Sequence, residues 1–132
     1  MNRIALKWFI QAKADLKAAK DSLTNENYEW ACFQAQQCGE KALKAYLYEK
    51  GYTSIITHSL KELITECKKL EPSFSELAGE ARNLDMFYIP TRYPNGLAGD
   101  LAPTDFYEKE DAITCINSTE LILKKARKFL GE

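Results

Sequence analysis

The chain has 132 residues, of which 45% are hydrophobic and 28% are charged, and its formal net charge at pH 7 is −1. This length corresponds to a single domain, residues 1–132, that can bury its own hydrophobic core. The nearly neutral charge excludes the strong overall basic field of proteins that bind nucleic acids without specificity, and no run of roughly 20 apolar residues is present to span a bilayer.

The N-terminal segment and the cysteines indicate the compartment. The segment MNRIALKWFIQAKAD carries lysines inside its apolar stretch and has no small-residue cleavage site, so we expect no secretory signal. The four cysteines, at positions 32, 38, 67 and 115, form no CxxC pair, which favours buried free thiols over disulfides or zinc ligands. We therefore predict a cytoplasmic protein with no membrane association, no cofactor and no metal site.

Two long helices are predicted first, over residues 3–23 and 27–50, the second ending at the natural C-cap Gly51. The short polar turn between them favours antiparallel neighbours. The second helix has small residues at steps of four, three, four and three, and they form one narrow stripe for close helix packing: Ala31, Ala35, Cys38, Ala42 and Ala45. Since most of its circumference is apolar, this helix belongs in the centre of a bundle.

Two capping boxes predict the next helices. Ser59 with Glu62 opens a third helix that reaches about residue 70, and Ser73 with Glu76 opens a fourth that reaches about residue 88. A loop of roughly 15 residues follows, in which Pro90 and Pro94 are predicted to bracket a turn, and Asp105 is predicted to cap the last helix. We therefore predict an all-α fold, an up-and-down antiparallel four-helix bundle with one additional shorter helix.

Polar side chains share about one quadrant of the second helix: Gln37, Glu40, Lys41 and Lys44. They could form a pocket in which amines meet phosphate and amides contact a base or ribose. Alternatively, Glu40 pairs with Lys44 one turn away, and the group forms a solvated or dimer-facing edge. Asp15 on the first helix is interpreted as a structural partner of Lys44 or Tyr88.

Three further residues are candidates for chemistry. His58 could shuttle a proton, or its ring could pack over the third helix as a hydrophobic staple. Arg92 and Tyr93 could clamp a phosphate and stack on a base. Alternatively, Tyr93 plugs the end of the bundle while Arg92 pairs with Asp85 or Glu40.

Several of these residues carry a resemblance to a known family. The pattern YxxAxFxAQQxxEKxxKA covers residues 28–45, THSL covers residues 57–60, and RYP covers residues 92–94. In this order, over nearly the whole chain, they resemble the HEPN domain family of helical nucleotide-binding domains. The resemblance implies a homodimeric helical bundle, often encoded beside a small nucleotidyltransferase in toxin–antitoxin pairs, with a nucleotide or RNA as ligand.

The resemblance does not extend to the motif of the nuclease members, which are metal-independent ribonucleases. Those relatives have an arginine followed four to six residues later by a histidine. Neither Arg82 nor Arg92 has one there, and the only histidine of the chain, His58, lies upstream of both. We therefore favour a binding protein, with a ribonuclease that uses Arg92 and His58 in a displaced arrangement as one alternative and a ligand-free interaction bundle as another. The predicted contacts to nucleotide or RNA are Gln37, Glu40, Lys41, Lys44, Arg92 and Tyr93.

Overall fold

The computed structural model describes residues 1–88 and 91–132, and the elements in these ranges are helical. The α-helices are α1 (Arg3–Thr24), α2 (Tyr28–Glu49), α3 (Leu60–Leu70), α4 (Ala78–Asp85), α5 (Pro103–Phe106) and α6 (Lys109–Phe129). Two 3₁₀ segments, Pro72–Leu77 and Pro94–Gly96, precede α4 and α5. The predicted all-α class is confirmed.

Helix α2 is the central element, as its mostly apolar circumference predicted. It packs against α1, α3, α4, α5 and α6, and the five residues of the stripe are fully buried. Gly39 lies beside this stripe, where an added Cβ would meet a methyl group of Leu60 at 2.8 Å and the hydroxyl of Thr119 at 3.1 Å. The missing side chain therefore lets α3 and α6 approach α2 closely.

The predicted cap of α3 is present, whereas two later caps differ from the prediction. Ser59 caps α3 as predicted, since its hydroxyl accepts a hydrogen bond from the Glu62 amide at 3.3 Å. The predicted cap at Ser73 is wrong: the carboxylate of Glu71 accepts from the Ser73 amide at 3.1 Å. The chain then forms a 3₁₀ segment that begins at Pro72, so α4 is only eight residues long.

The predicted start of the last helix at Asp105 is also wrong. Pro103 begins the separate short helix α5, and Tyr107 then adopts an extended conformation with its ring buried against Phe87 and Phe106. Burial of this ring interrupts the helix, and α6 starts anew after Glu108.

The four cysteines are free and buried, as predicted. Burial raises the pKa of Cys38 and the pKa of Cys67 to about 12, because an apolar surrounding disfavours the thiolate. Among the described residues, none of the helices is both long enough and apolar enough to cross a membrane.

Candidate functional site

The segment before α3 is held against the end of α4. The carboxylate of Asp85 accepts hydrogen bonds from the Ser59 hydroxyl at 3.0 Å and from the Leu60 amide at 2.7 Å. An anion is favoured at this place because the first amides of a helix have no partner within the helix. The contact brings His58, which precedes Ser59, next to Tyr88, which lies three residues after Asp85.

His58 is held by a carboxylate and by an aromatic ring. Its Nδ1 lies 3.3 Å from Oε1 and 3.2 Å from Oε2 of Glu40. Its ring stacks on Tyr88 at a centroid distance of 5.2 Å and an interplanar angle of 16°. The imidazole is still 56% exposed, so one side of it faces solvent. The interpretation of His58 as a simple hydrophobic staple did not foresee this arrangement.

Glu40 itself is buried in a network on α2. Its Oε2 lies 3.0 Å from Nζ of Lys44, and the two side chains are only 4% and 3% exposed. The amide of Gln36, also buried, donates to Oε1 of Glu40 at 3.5 Å and to the backbone carbonyl of His58 at 3.3 Å. The predicted pairing of Glu40 with Lys44 is therefore present, in the interior rather than on a solvated edge. Such a pair stays buried because each charge compensates the other.

The remaining polar residues of this face are engaged within the chain. Gln37 donates to the side-chain oxygen of Gln36 at 2.7 Å, and Nζ of Lys41 lies 2.5 Å from Asp15. The predicted partners of Asp15, Lys44 or Tyr88, are wrong because the packing of α1 on α2 places Lys41 opposite this carboxylate.

The guanidinium of Arg92 lies among aromatic rings. Its Cζ is 4.7 Å from the ring centroids of Phe33 and Tyr88 and 5.1 Å from that of Tyr93. Its Nε donates to the backbone carbonyl of Tyr88 at 3.2 Å. Within residues 1–88 and 91–132, no carboxylate forms an ion pair with Arg92.

The alternative roles predicted for this loop are therefore wrong. Asp85 is bound to α3 and Glu40 is bound to Lys44, so neither is a partner of Arg92. Tyr93 is 51% exposed and does not plug the bundle. Pro90, the first of the two prolines predicted to bracket a turn in this loop, lies outside the described residues.

Tyr88 is the residue that brings the candidates together. His58 and Arg92 both lie against its ring, and we call the group of His58, Tyr88, Arg92 and Tyr93 the His58–Arg92 surface. This surface combines an imidazole, a guanidinium and an exposed phenol, which can accept or donate a proton, bind phosphate and stack on a base. Glu40 contacts the imidazole from the interior and pairs with Lys44. Gln37 is bound by Gln36, and Lys41 is bound by Asp15 of α1.

Two residues of the arrangement were missing from the predicted contacts. Gln36 was in the pattern, but its position beside Gln37 gave no sign that it would hold the backbone of His58. Tyr88 was predicted as the end of a helix and as one possible partner of Asp15, not as a contact of His58 or Arg92. Elsewhere, within the described ranges, no group of three or more histidine, cysteine or acidic side chains is arranged to hold a metal ion.

Comparison with known proteins gives consistent matches over the whole chain. Residues 5–129 match the HEPN domain family. The chain is 33% identical over 135 residues to the candidate toxin MJ1304 of Methanocaldococcus jannaschii, with 96% of this chain and 88% of that protein covered. The crystal structure of TT1696 from Thermus thermophilus superposes with a TM-score of 0.90 at 32% identity, covering 98% of this chain and 99% of that chain. The archaeal HEPN homologue ST0689 superposes with a TM-score of 0.79 at 35% identity, covering 97% and 98%.

Proposed function

This chain belongs to the HEPN domain family, and on that premise we propose that it is the nucleotide- or RNA-binding member of a toxin–antitoxin pair. It acts as a homodimer beside a small nucleotidyltransferase, and its ligand binds at the His58–Arg92 surface. The similarity to a protein named as a candidate toxin supports this setting.

One observation carries the proposal: His58 and Arg92 lie against the same ring, that of Tyr88, with Tyr93 exposed beside them. No carboxylate of the described residues neutralises the guanidinium, so its charge is available to a phosphate. The exposed phenol of Tyr93 offers a stacking face to a base, and such stacking tolerates any base.

The predicted contact residues take different parts in this proposal. Tyr93 is exposed and Arg92 is half-buried, and both contact the ligand directly. Glu40 and Lys44 are buried and act through His58. Gln37 and Lys41, partly exposed and partnered within the chain, line the edge of the ligand site.

A binding experiment tests the proposal. Isothermal titration of the protein with ATP, GTP and a short single-stranded RNA should give saturable binding, and Arg92→Ala should weaken it at least tenfold through loss of the charge-assisted contact. Arg3→Ala removes the same charge from an exposed position at the start of α1 and serves as the matched control. Absence of binding to every probe would favour the ligand-free interaction bundle.

A second candidate function is a metal-independent endoribonuclease, which the contact between His58 and Glu40 favours. An imidazole backed by a carboxylate can act as a general base, and the guanidinium of Arg92 can stabilise negative charge on a phosphate. His58 would take the proton of a 2′-hydroxyl, whose oxygen attacks the adjacent phosphorus and displaces the 5′-oxygen, which is protonated by water. Cleavage of single-stranded RNA in EDTA, lost in His58→Ala and with 2′-O-methyl RNA, would establish this activity.

A further inference from the structure

The buried carboxylate of Glu40 faces the histidine of the His58–Arg92 surface. We propose that Glu40, held by Lys44, is a positioning residue that keeps the neutral His58 ring in the tautomer with its hydrogen on Nδ1. The other nitrogen of this 56% exposed side chain, Nε2, is then a hydrogen-bond acceptor. This inference rests on the proposed function, because it specifies what the same surface recognises.

The assignment follows from the chemistry of the two groups. Both oxygens of Glu40 lie within hydrogen-bond distance of Nδ1, at 3.3 Å and 3.2 Å. A carboxylate has lone pairs but no hydrogen to donate, so Nδ1 must be the donor. A neutral imidazole carries only one hydrogen, and Nε2 therefore keeps its lone pair. The same carboxylate–imidazole arrangement orients histidines at many metal sites.

Lys44 binds the same carboxylate. Its Nζ lies 3.0 Å from Oε2 of Glu40, and only 3% of the lysine side chain is exposed. An ammonium can only donate, and the amide of Gln36 also donates to Glu40 at 3.5 Å, so the carboxylate is an acceptor toward both neighbours. Lys44 and Gln36 thereby leave Glu40 in the acceptor role that the contact with Nδ1 requires.

The histidine cannot easily turn away from this carboxylate. Gln36 holds the backbone carbonyl of His58, and Asp85 binds the next residue, Ser59. The ring is stacked on Tyr88 with an angle of 16° between the planes. A flip of the ring would keep the stacking but place a carbon atom against Glu40, and the hydrogen bond would be lost. One orientation of the ring is therefore favoured.

With this tautomer, Arg92 and His58 recognise different groups of a nucleotide. An ionised phosphate offers only acceptors, so it pairs with the guanidinium of Arg92 and not with the lone pair of Nε2. Nε2 instead accepts from a hydroxyl or amino group, which a ribose or a base supplies. The surface therefore selects ligands that carry a hydrogen-bond donor next to a phosphate.

The test uses the fact that His58 is the only histidine of the chain. Long-range ¹H–¹⁵N correlation spectra of protein labelled with ¹⁵N-histidine show one imidazole and report which nitrogen carries the hydrogen. We expect a protonated Nδ1 and an unprotonated Nε2 at a pH where the ring is neutral. A wild-type spectrum with the hydrogen on Nε2 would overturn the proposal without any variant.

The variant Glu40→Leu/Lys44→Met removes both buried charges and the acceptor of Nδ1 together, so neither charge is left without a partner. In this variant the ring should show the tautomer mixture of unrestrained histidine. Lys41→Met, which removes an ammonium from the same helix but one that pairs with Asp15, should leave the tautomer unchanged. A double variant that keeps the wild-type tautomer would show that Glu40 does not set it.

Titration with ATP separates this inference from the proposed function. The double variant should bind ATP about tenfold more weakly than the wild type, the effect of one lost hydrogen bond. If the wild type does not bind nucleotides while its spectrum shows the expected tautomer, the proposed function fails and the positioning role stands. If both proteins bind equally well, the positioning role in recognition is refuted and the proposed function stands.

Discussion

The carboxylate of Asp85, at the end of α4, accepts a hydrogen bond at 2.7 Å from the amide of Leu60, at the start of α3. It also accepts from the hydroxyl of Ser59. One side chain thus binds the beginning of one helix to the end of another, and the position of His58 beside Tyr88 depends on that contact.

Removal of this carboxylate should destabilise the protein. We expect Asp85→Ala to lower the free energy of unfolding by about 1–2 kcal/mol, because the first amides of α3 lose an anionic acceptor. Urea unfolding monitored by circular dichroism measures the change. Asp100→Ala, in an exposed part of the loop, is the control and should change stability by less than about 0.5 kcal/mol. Equal effects of the two substitutions would contradict the prediction.

Glycine-to-alanine substitutions should have opposite effects at two positions. In Gly39→Ala the new methyl group would lie 2.8 Å from a methyl of Leu60 and 3.1 Å from the Thr119 hydroxyl, so we expect a loss of about 1–3 kcal/mol from overpacking. Gly79 in α4 has no atom within 4 Å of an added Cβ, and Gly79→Ala should stabilise the protein by about 0.5–1 kcal/mol. If both variants had higher melting temperatures, the prediction for Gly39 would be wrong, and α3 and α6 would be able to move away from α2 to make room for a methyl group.

The buried pair of Glu40 and Lys44 should be sensitive to the loss of one partner. We expect Glu40→Gln to cost about 3–5 kcal/mol, because it leaves the ammonium of Lys44 buried without its counter-ion. The double variant with Lys44→Met should recover most of that loss. Asp21→Asn breaks the exposed pair with Lys17 and should cost no more than about 1 kcal/mol. Similar unfolding midpoints for Glu40→Gln and Asp21→Asn would contradict the prediction that the buried ion pair is more sensitive than the exposed one.

The raised pKa values of the buried thiols predict how the free energy of unfolding depends on pH. Burial raises the pKa of Cys38 and of Cys67 from 9.0 to about 12, so the folded state holds protons that the unfolded state releases above pH 9. The stabilising contribution of these groups is complete below pH 9 and is lost as the pH rises toward 12. Urea midpoints should therefore fall between pH 8 and pH 10.5, and less steeply in Cys38→Ala.

The same burial should make the thiols slow to react. At pH 8, Ellman's reagent should label the cysteines of the native protein only on the timescale of unfolding, because the thiolate is the reactive form and it is disfavoured in the interior. In urea all four should react at once. Rapid labelling of the folded protein would contradict the buried positions.

The sequence predicts the N-terminal half of the fold well. The small residues of α2 that the sequence places three or four positions apart are all buried, as predicted. Helices α1 and α2 begin and end within one residue of the predicted bounds. Local signals suffice here because helical periodicity and caps depend only on neighbouring residues. Near Ser73 and Asp105 the chain offers a second side chain that can act as a cap, and Glu71 and Glu108 form the caps instead.

The candidate site was predictable only where its contacts are local. Glu40 and Lys44 are one turn apart, and their pairing follows from spacing alone. The contact between His58 and Tyr88 joins residues 30 positions apart, and it depends on the hydrogen bond of Ser59 to Asp85. No local sequence pattern predicts a contact over this separation. Arg92 illustrates the same difficulty, because opposite charges were available in the sequence but aromatic rings surround it in the folded chain.

The indole of Trp8 lies 5.3 Å from the ammonium of Lys44 and is stacked on Tyr48. Fluorescence from an indole shifts in colour when the electric field across it changes, so this tryptophan is a natural optical probe of the charges behind His58. In a Trp30→Phe variant, emission from Trp8 alone would report a movement of the Lys44 ammonium that pairs with Glu40, without an attached dye.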